Sequence, residues 1–154
     1  MVEISRSKQM RASVDVLWDI LSDMDNEGKY WTNIRDVKIL SRDGNMIERE
    51  ANVGPRSFSQ KSRQTIVLDP KRSVKLTIIG DNMDGERTVS LFPAGREATR
   101  VDVNWSLRLK NVPGFVESIV KNQIAKATDD ALSKVAKEAE SRASHATSGR
   151  VIRQ

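Results

Sequence analysis

The chain has no cysteine and a single histidine among its 154 residues. Without thiols there is no disulfide, no thiolate metal site and no cysteine nucleophile. That absence suits a reducing compartment, and a cytoplasmic location is the expectation. The lone histidine, His145, stands in a stretch of small polar residues near the C-terminus. A zinc site or a hydrolytic triad therefore lacks its parts, and no metal, cofactor or catalytic residue is expected. No apolar run approaches the about 18 residues that a membrane span needs. The N-terminal MVEISRSKQM has no apolar signal core, so export is not expected. The eight glycines form no phosphate loop; Gly80 and Gly85 read as the brackets of a hairpin.

What is present is a soluble balance of 38% apolar and 31% charged residues, enough for one domain with a real core. The net charge of +5 is unevenly placed. The final stretch SRASHATSGRVIRQ holds Arg142, Arg150 and Arg153 and no acid, so it carries three of the five charges. The rest is nearly balanced, and no nucleic-acid partner is expected. The composition of that stretch reads as a disordered tail over 141–154, behind a single domain over 1–140. Oligomeric state has no signature in the sequence.

Hydrophobic periodicity gives the element order. Val2, Ile4 and Met10 share a parity in a first strand. Ser13 is suited to cap a helix in which Asp15 occupies the first turn and Val14, Leu17, Trp18 and Leu21 form an inward stripe. A turn or short second helix is expected around 27–32. Six strand segments follow from residue 34, separated at Asp43-Gly44-Asn45, Gly54-Pro55, Asp69-Pro70, Asp84-Gly85 and Pro93-Ala94-Gly95. In the last, Val101, Val103, Trp105, Leu107 and Leu109 face one way. Pro113 opens a long amphipathic helix over about 113–140, with Phe115, Val116, Ile119, Val120, Ile124, Ala127, Ala131, Leu132 and Val135 on its apolar side. An antiparallel sheet with one apolar face must cover it, and this helix is the long amphipathic element on hand.

The segment LWDILSDMDNEGKYW concentrates acids. Asp15, Asp19 and Asp23 fall at helical spacing, so they read as a wet stripe. Asp23, Asp25 and Glu27 approach a calcium-loop pattern, but Gly28 stands one place late and the distal glutamate is missing. Tyr30 and Trp31 close the segment.

Several strings together resemble a known family. They are Met10-x-Ala12-Ser13 with Trp18, Leu21-Ser22-Asp23, Trp31, Val37-x-Ile39, Asp69-Pro70, Gly80, Thr99-Arg100-Val101 and Pro113-Gly114-Phe115. The chain resembles the START/Bet v 1-like (SRPBCC) superfamily, in its polyketide cyclase/dehydrase and lipid-transport group, over about residues 2–140. Ser13 replaces the proline often found after the alanine there, and Tyr30 replaces a proline before the tryptophan. The resemblance implies an α+β helix-grip fold. A seven-stranded curved antiparallel sheet would wrap around a long C-terminal helix, with two short helices between strands 1 and 2. It also implies a cavity between sheet and helix for a small hydrophobic or amphipathic ligand, but no particular ligand.

Candidate lining residues follow from that cavity. Trp18, Tyr30 and Trp31 would stand at one wall or the mouth. Arg49, Phe58, Gln60, Ser62 and Gln64 share parity with apolar neighbours on their strands, as do Arg6 and Lys8. Leu76, Ile78, Val103 and Trp105 add apolar surface, and Phe115, Ile119 and Gln123 would face it from the closing helix. A buried Arg49 or Arg6 would require an anionic ligand group or an internal acid; a bulge turning them to solvent is the plainer reading. The expected function is a carrier or sensor. The alternatives are a cyclase/dehydrase or aromatase working by substrate positioning, with Arg49 or Tyr30 polarising a carbonyl, and a protein-interaction module using Lys121, Lys126, Lys134 and Lys137.

Overall fold

The computed structural model describes residues 1–54 and 60–153, with side chains described through His145. Strand β1 (Val2–Met10) leads into helix α1 (Val14–Leu21) and a 3-10 turn (Glu27–Lys29). Strands β2 (Ile34–Asp43), β3 (Met46–Val53), β4 (Gln60–Asp69), β5 (Ser73–Gly80), β6 (Met83–Pro93) and β7 (Thr99–Leu109) follow, then helix α2 (Gly114–Arg153). The strands form one curved antiparallel sheet in the order β1-β7-β6-β5-β4-β3-β2. This is the helix-grip architecture, with two short helices between β1 and β2, the second of them a 3-10 helix.

Local signals act as the sequence suggests at the first helix. The Ser13 side chain accepts from the backbone N–H of Val16, closing the helix start. Leu17, Ile20 and Leu21 are buried, with Val14 and Trp18 partly so. Asp15 stays exposed and Asp19 is also exposed, as a wet stripe should be.

Helix α2 runs alongside β1 in the same direction. The Met1 ammonium meets Glu117, Arg6 meets Asp129, and the Arg11 backbone N–H donates to Glu140. Ten strand steps cover about 33 Å, and the 23 helical steps from Glu117 to Glu140 cover about 35 Å, so the two elements stay matched along their length. Each exposed contact stabilises little by itself. The strength lies beneath them, where Val120, Ile124, Ala131, Leu132, Val135, Ala136 and Ala139 are buried.

Helix α2 continues past residue 140, to Arg153. Glu138 and Arg142 pair one turn apart and Ala143 packs on the core, so tertiary contact carries the helix past the polar composition. Asp84-Gly85 is not a turn. Both residues lie inside β6, and the reversal falls between Gly80 and Met83. Gly85 is there because β7 passes so close that a Cβ would stand 2.0 Å from the Ser106 carbonyl oxygen.

Candidate functional site

Strand alternation places polar groups on the inward face of the sheet. Along β3 the buried residues are Ile47, Arg49, Ala51 and Val53; along β4 they are Ser62, Gln64 and Ile66. On β6, Met83, Arg87, Val89 and Leu91 are buried. Register sets Arg49 beside Gln64 and Arg87 beside Trp105. Two guanidinium groups thus sit inside the sheet, 0% and 1% exposed.

Their counter-ion comes from the 3-10 turn. Glu27 is buried there, and Oε1 accepts from Arg49 Nη2 at 2.7 Å while Oε2 accepts from Arg87 Nη2 at 2.9 Å. From Arg49 the network continues across the strands. Its Nε donates to Gln64 Oε1 at 2.7 Å, Gln64 Nε2 donates to Ser62 Oγ at 3.0 Å, and that hydroxyl donates to the Ala51 carbonyl at 3.1 Å. Arg87 lies 4.4 Å from the centre of the Trp31 ring and 5.6 Å from that of Trp105. The two indoles meet edge-on, 6.2 Å apart. Such contacts stabilise a desolvated guanidinium through the ring quadrupoles.

Electrostatics keep the Glu27 carboxyl ionised. Burial pushes the Glu27 carboxyl up, but the charges and hydrogen bonds of Arg87 and Arg49 outweigh it and keep it below its ordinary value of 4.5. Burial pushes the Arg87 guanidinium down, Glu27 opposes this, and the neighbouring charge of Arg49 adds to the fall. Glu27 is consequently an ionised acceptor rather than a proton donor.

Trp105 ties the site to α2. Its indole Nε1 donates to Thr128 Oγ1 at 3.0 Å, and that hydroxyl donates to the Ile124 carbonyl. Thr128→Val keeps the shape and removes the acceptor. Leaving a buried indole N–H unpaired is expected to cost about 1–3 kcal/mol in urea unfolding; no loss would mean that the indole bonds elsewhere.

The expected lining residues divide. Trp31, Arg49, Ser62, Gln64, Leu76, Ile78, Val103 and Trp105 are buried on the inward side. Trp18 is partly buried against the core, and Gln60 is half-buried, accepting from the Asn82 backbone N–H. Phe58 lies outside the described residues. Phe115 and Ile119 are 70% and 48% exposed, and Gln123 is also exposed. Val116, Val120 and Ile124 take the inward positions, one residue further round the helix. Tyr30 parts company with Trp31. It is half-buried toward Glu138 and Arg142 of α2, and burial, then the charge of Glu138, raise its phenol above the ordinary value. Arg6 and Lys8 are also off the interior, Arg6 half-exposed on Asp129 and Lys8 exposed.

Two site residues escaped sequence reading. Arg87 shares parity with Met83, Val89 and Leu91, a signal that was available. Glu27 looked like one more acid in an exposed loop. The calcium-loop grouping dissolves in three dimensions: Asp23 accepts from Asn26, Asp25 pairs with Arg42, and Glu27 turns inward.

Residues 1–140 match the profile of a family described as polyketide cyclase / dehydrase and lipid transport. No curated protein matches the chain significantly. Among solved structures, a protein from Thermus thermophilus aligns with TM-score 0.77 at 15% identity, covering 91% of this chain and 98% of that one. A START superfamily protein from Mycobacterium smegmatis gives 0.73 at 18%, covering 90% and 99%. The Zhui aromatase/cyclase from a Streptomyces species gives 0.62 at 12%, covering 88% and 87%. At these identities the likeness establishes the fold alone.

Proposed function

Because the chain belongs to the polyketide cyclase / dehydrase and lipid transport family, we propose that it binds a small hydrophobic or amphipathic molecule between the sheet and α2, as a carrier or sensor. One observation carries this reading. A hydrogen-bonded set of polar groups (Glu27, Arg49, Arg87, Gln64, Ser62) is built into an inward face that is mostly apolar, with Leu76, Ile78, Val103 and Trp105 among its buried residues. A few fixed polar groups in an apolar shell are what small-molecule sites use to orient a ligand. Apolar burial would supply the affinity, at roughly 25 cal/mol per Å² before association costs.

A cyclase or dehydrase role has weaker support. The charges acting on Tyr30 are those of Glu138, Arg142 and Asp23, and Glu27, the one buried carboxylate among the described residues, is held ionised by two arginines. A proton donor needs the opposite condition. Substrate positioning by Arg49 and Arg87 remains the route such an enzyme would use.

Native mass spectrometry of the purified protein tests the binding reading. An adduct of small-molecule mass, lost on denaturation, is expected. A protein that carries no adduct and takes up none from a panel of amphipathic compounds would overturn it.

A further inference from the structure

We propose that the interior site takes a monoanion: an amphipathic molecule with one carboxylate-like group, seated against Arg49 and Arg87. The inference rests on the ligand-binding reading above and adds the charge of the ligand. The first ground is charge balance. Two guanidinium groups share one carboxylate, so the buried cluster carries one uncompensated positive charge. The indole faces of Trp31 and Trp105 supply a quadrupole but no net charge.

The second ground is the donor inventory. Glu27 takes one N–H from each arginine and grips neither as a two-pronged fork. Arg49 Nη1, Arg87 Nε and Arg87 Nη1 are buried with no hydrogen-bond partner. Unpaired charged donors in a low-dielectric interior are costly, and an oxyanion relieves both the charge and the missing bonds. A carboxylate brings two oxygens in the planar geometry that guanidinium groups match. A dianion would reverse the imbalance, a cation would be repelled, and a neutral carbonyl would leave the charge uncompensated. These donors are closed off from solvent, so the anion must displace part of their cover. Trp31 and Trp105, 4.4 and 5.6 Å from the Arg87 guanidinium, are part of that cover.

The test uses two fluorescent probes with one body: anilinonaphthalene sulfonate, a monoanion, and its uncharged parent phenylnaphthylamine. Titrated into the whole protein, the sulfonate is expected to bind at least about tenfold more tightly. Arg49→Gln brings the cluster to neutrality while keeping the Arg87–Glu27 pair, and the ratio is expected to fall to about one. Arg49→Lys keeps the charge and most of the preference. Equal binding of both probes by the unmodified protein would leave the ligand-binding reading standing and overturn the monoanion inference. A preference undiminished in a folded Arg49→Gln would assign it to surface cations and overturn it too. Failure of both probes to bind removes the ligand-binding reading, and this inference with it. The comparison in the unmodified protein decides alone if Arg49→Gln does not fold.

Discussion

Glu27→Gln is expected to lower the free energy of unfolding by about 3–5 kcal/mol, the usual cost of removing one partner from a buried ion pair. Glutamine keeps the size of the side chain but leaves Arg49 and Arg87 as two like charges beneath a neutral amide. Against the roughly 5–15 kcal/mol that holds a typical domain together, this is a large share. Urea unfolding followed by tryptophan fluorescence at neutral pH measures it. The same variant carries a pH signature with a definite sign. The folded carboxyl is held below its ordinary value of 4.5, so its contribution is fully present above that pH. It is lost as pH falls through the lower, folded value. The unmodified protein should therefore lose stability below about pH 4.5 more steeply than Glu27→Gln. Parallel acid profiles would show that Glu27 is not the charge between the arginines.

Gly85→Ala is expected to cost at least about 3 kcal/mol or to prevent folding altogether. Its φ is +151°, a region that side chains disfavour, and the new Cβ would meet the Ser106 carbonyl oxygen at 2.0 Å and Leu107 Cα at 2.8 Å. These are backbone atoms of the paired strand, held on both sides by the sheet, so nothing flexible can give way. Gly28 is the control. Nothing lies within 4 Å of a Cβ built there, and Gly28→Ala should change stability little. Thermal melts of the two variants side by side provide the measurement. A Gly85→Ala protein as stable as Gly28→Ala would mean that β6 and β7 are not paired in the described register.

Period-2 and period-3.6 patterns carried the fold because they survive in one dimension. Val101, Val103, Trp105 and Leu107 alternate cleanly, and the sheet buries that parity. The closing helix was legible in its existence and in most of its apolar stripe, including Val120, Ile124, Ala131, Leu132 and Val135, but not at its start. Phe115 and Ile119 are the large apolar residues near its start, yet Val116, Val120 and Ile124 are the ones turned inward. Residue size does not fix the rotation of a helix; the surface it lies on does, and that surface is set by distant strands.

The site was half legible for a similar reason. Parity pointed to Arg49, Ser62 and Gln64, and all three are buried. The need for a counter-charge beside a buried arginine was also foreseeable. Which acid answers it was not, because Glu27 lies 22 residues from Arg49 and 60 from Arg87 along the chain. In the sequence Glu27 belongs to a run of acids whose other members face water. Only the turn that seats Trp31 over Arg87 separates it from them.

A crystal structure of the protein as purified, with density resolved between the sheet and α2, tests the central claim most directly. Arg49 and Arg87 should bracket Glu27 inside the sheet, with an ordered molecule against Arg49 Nη1 and Arg87 Nε. Arginines turned out to solvent, or an interior filled by side chains with no group against those nitrogens after soaking with amphipathic anions, would contradict it.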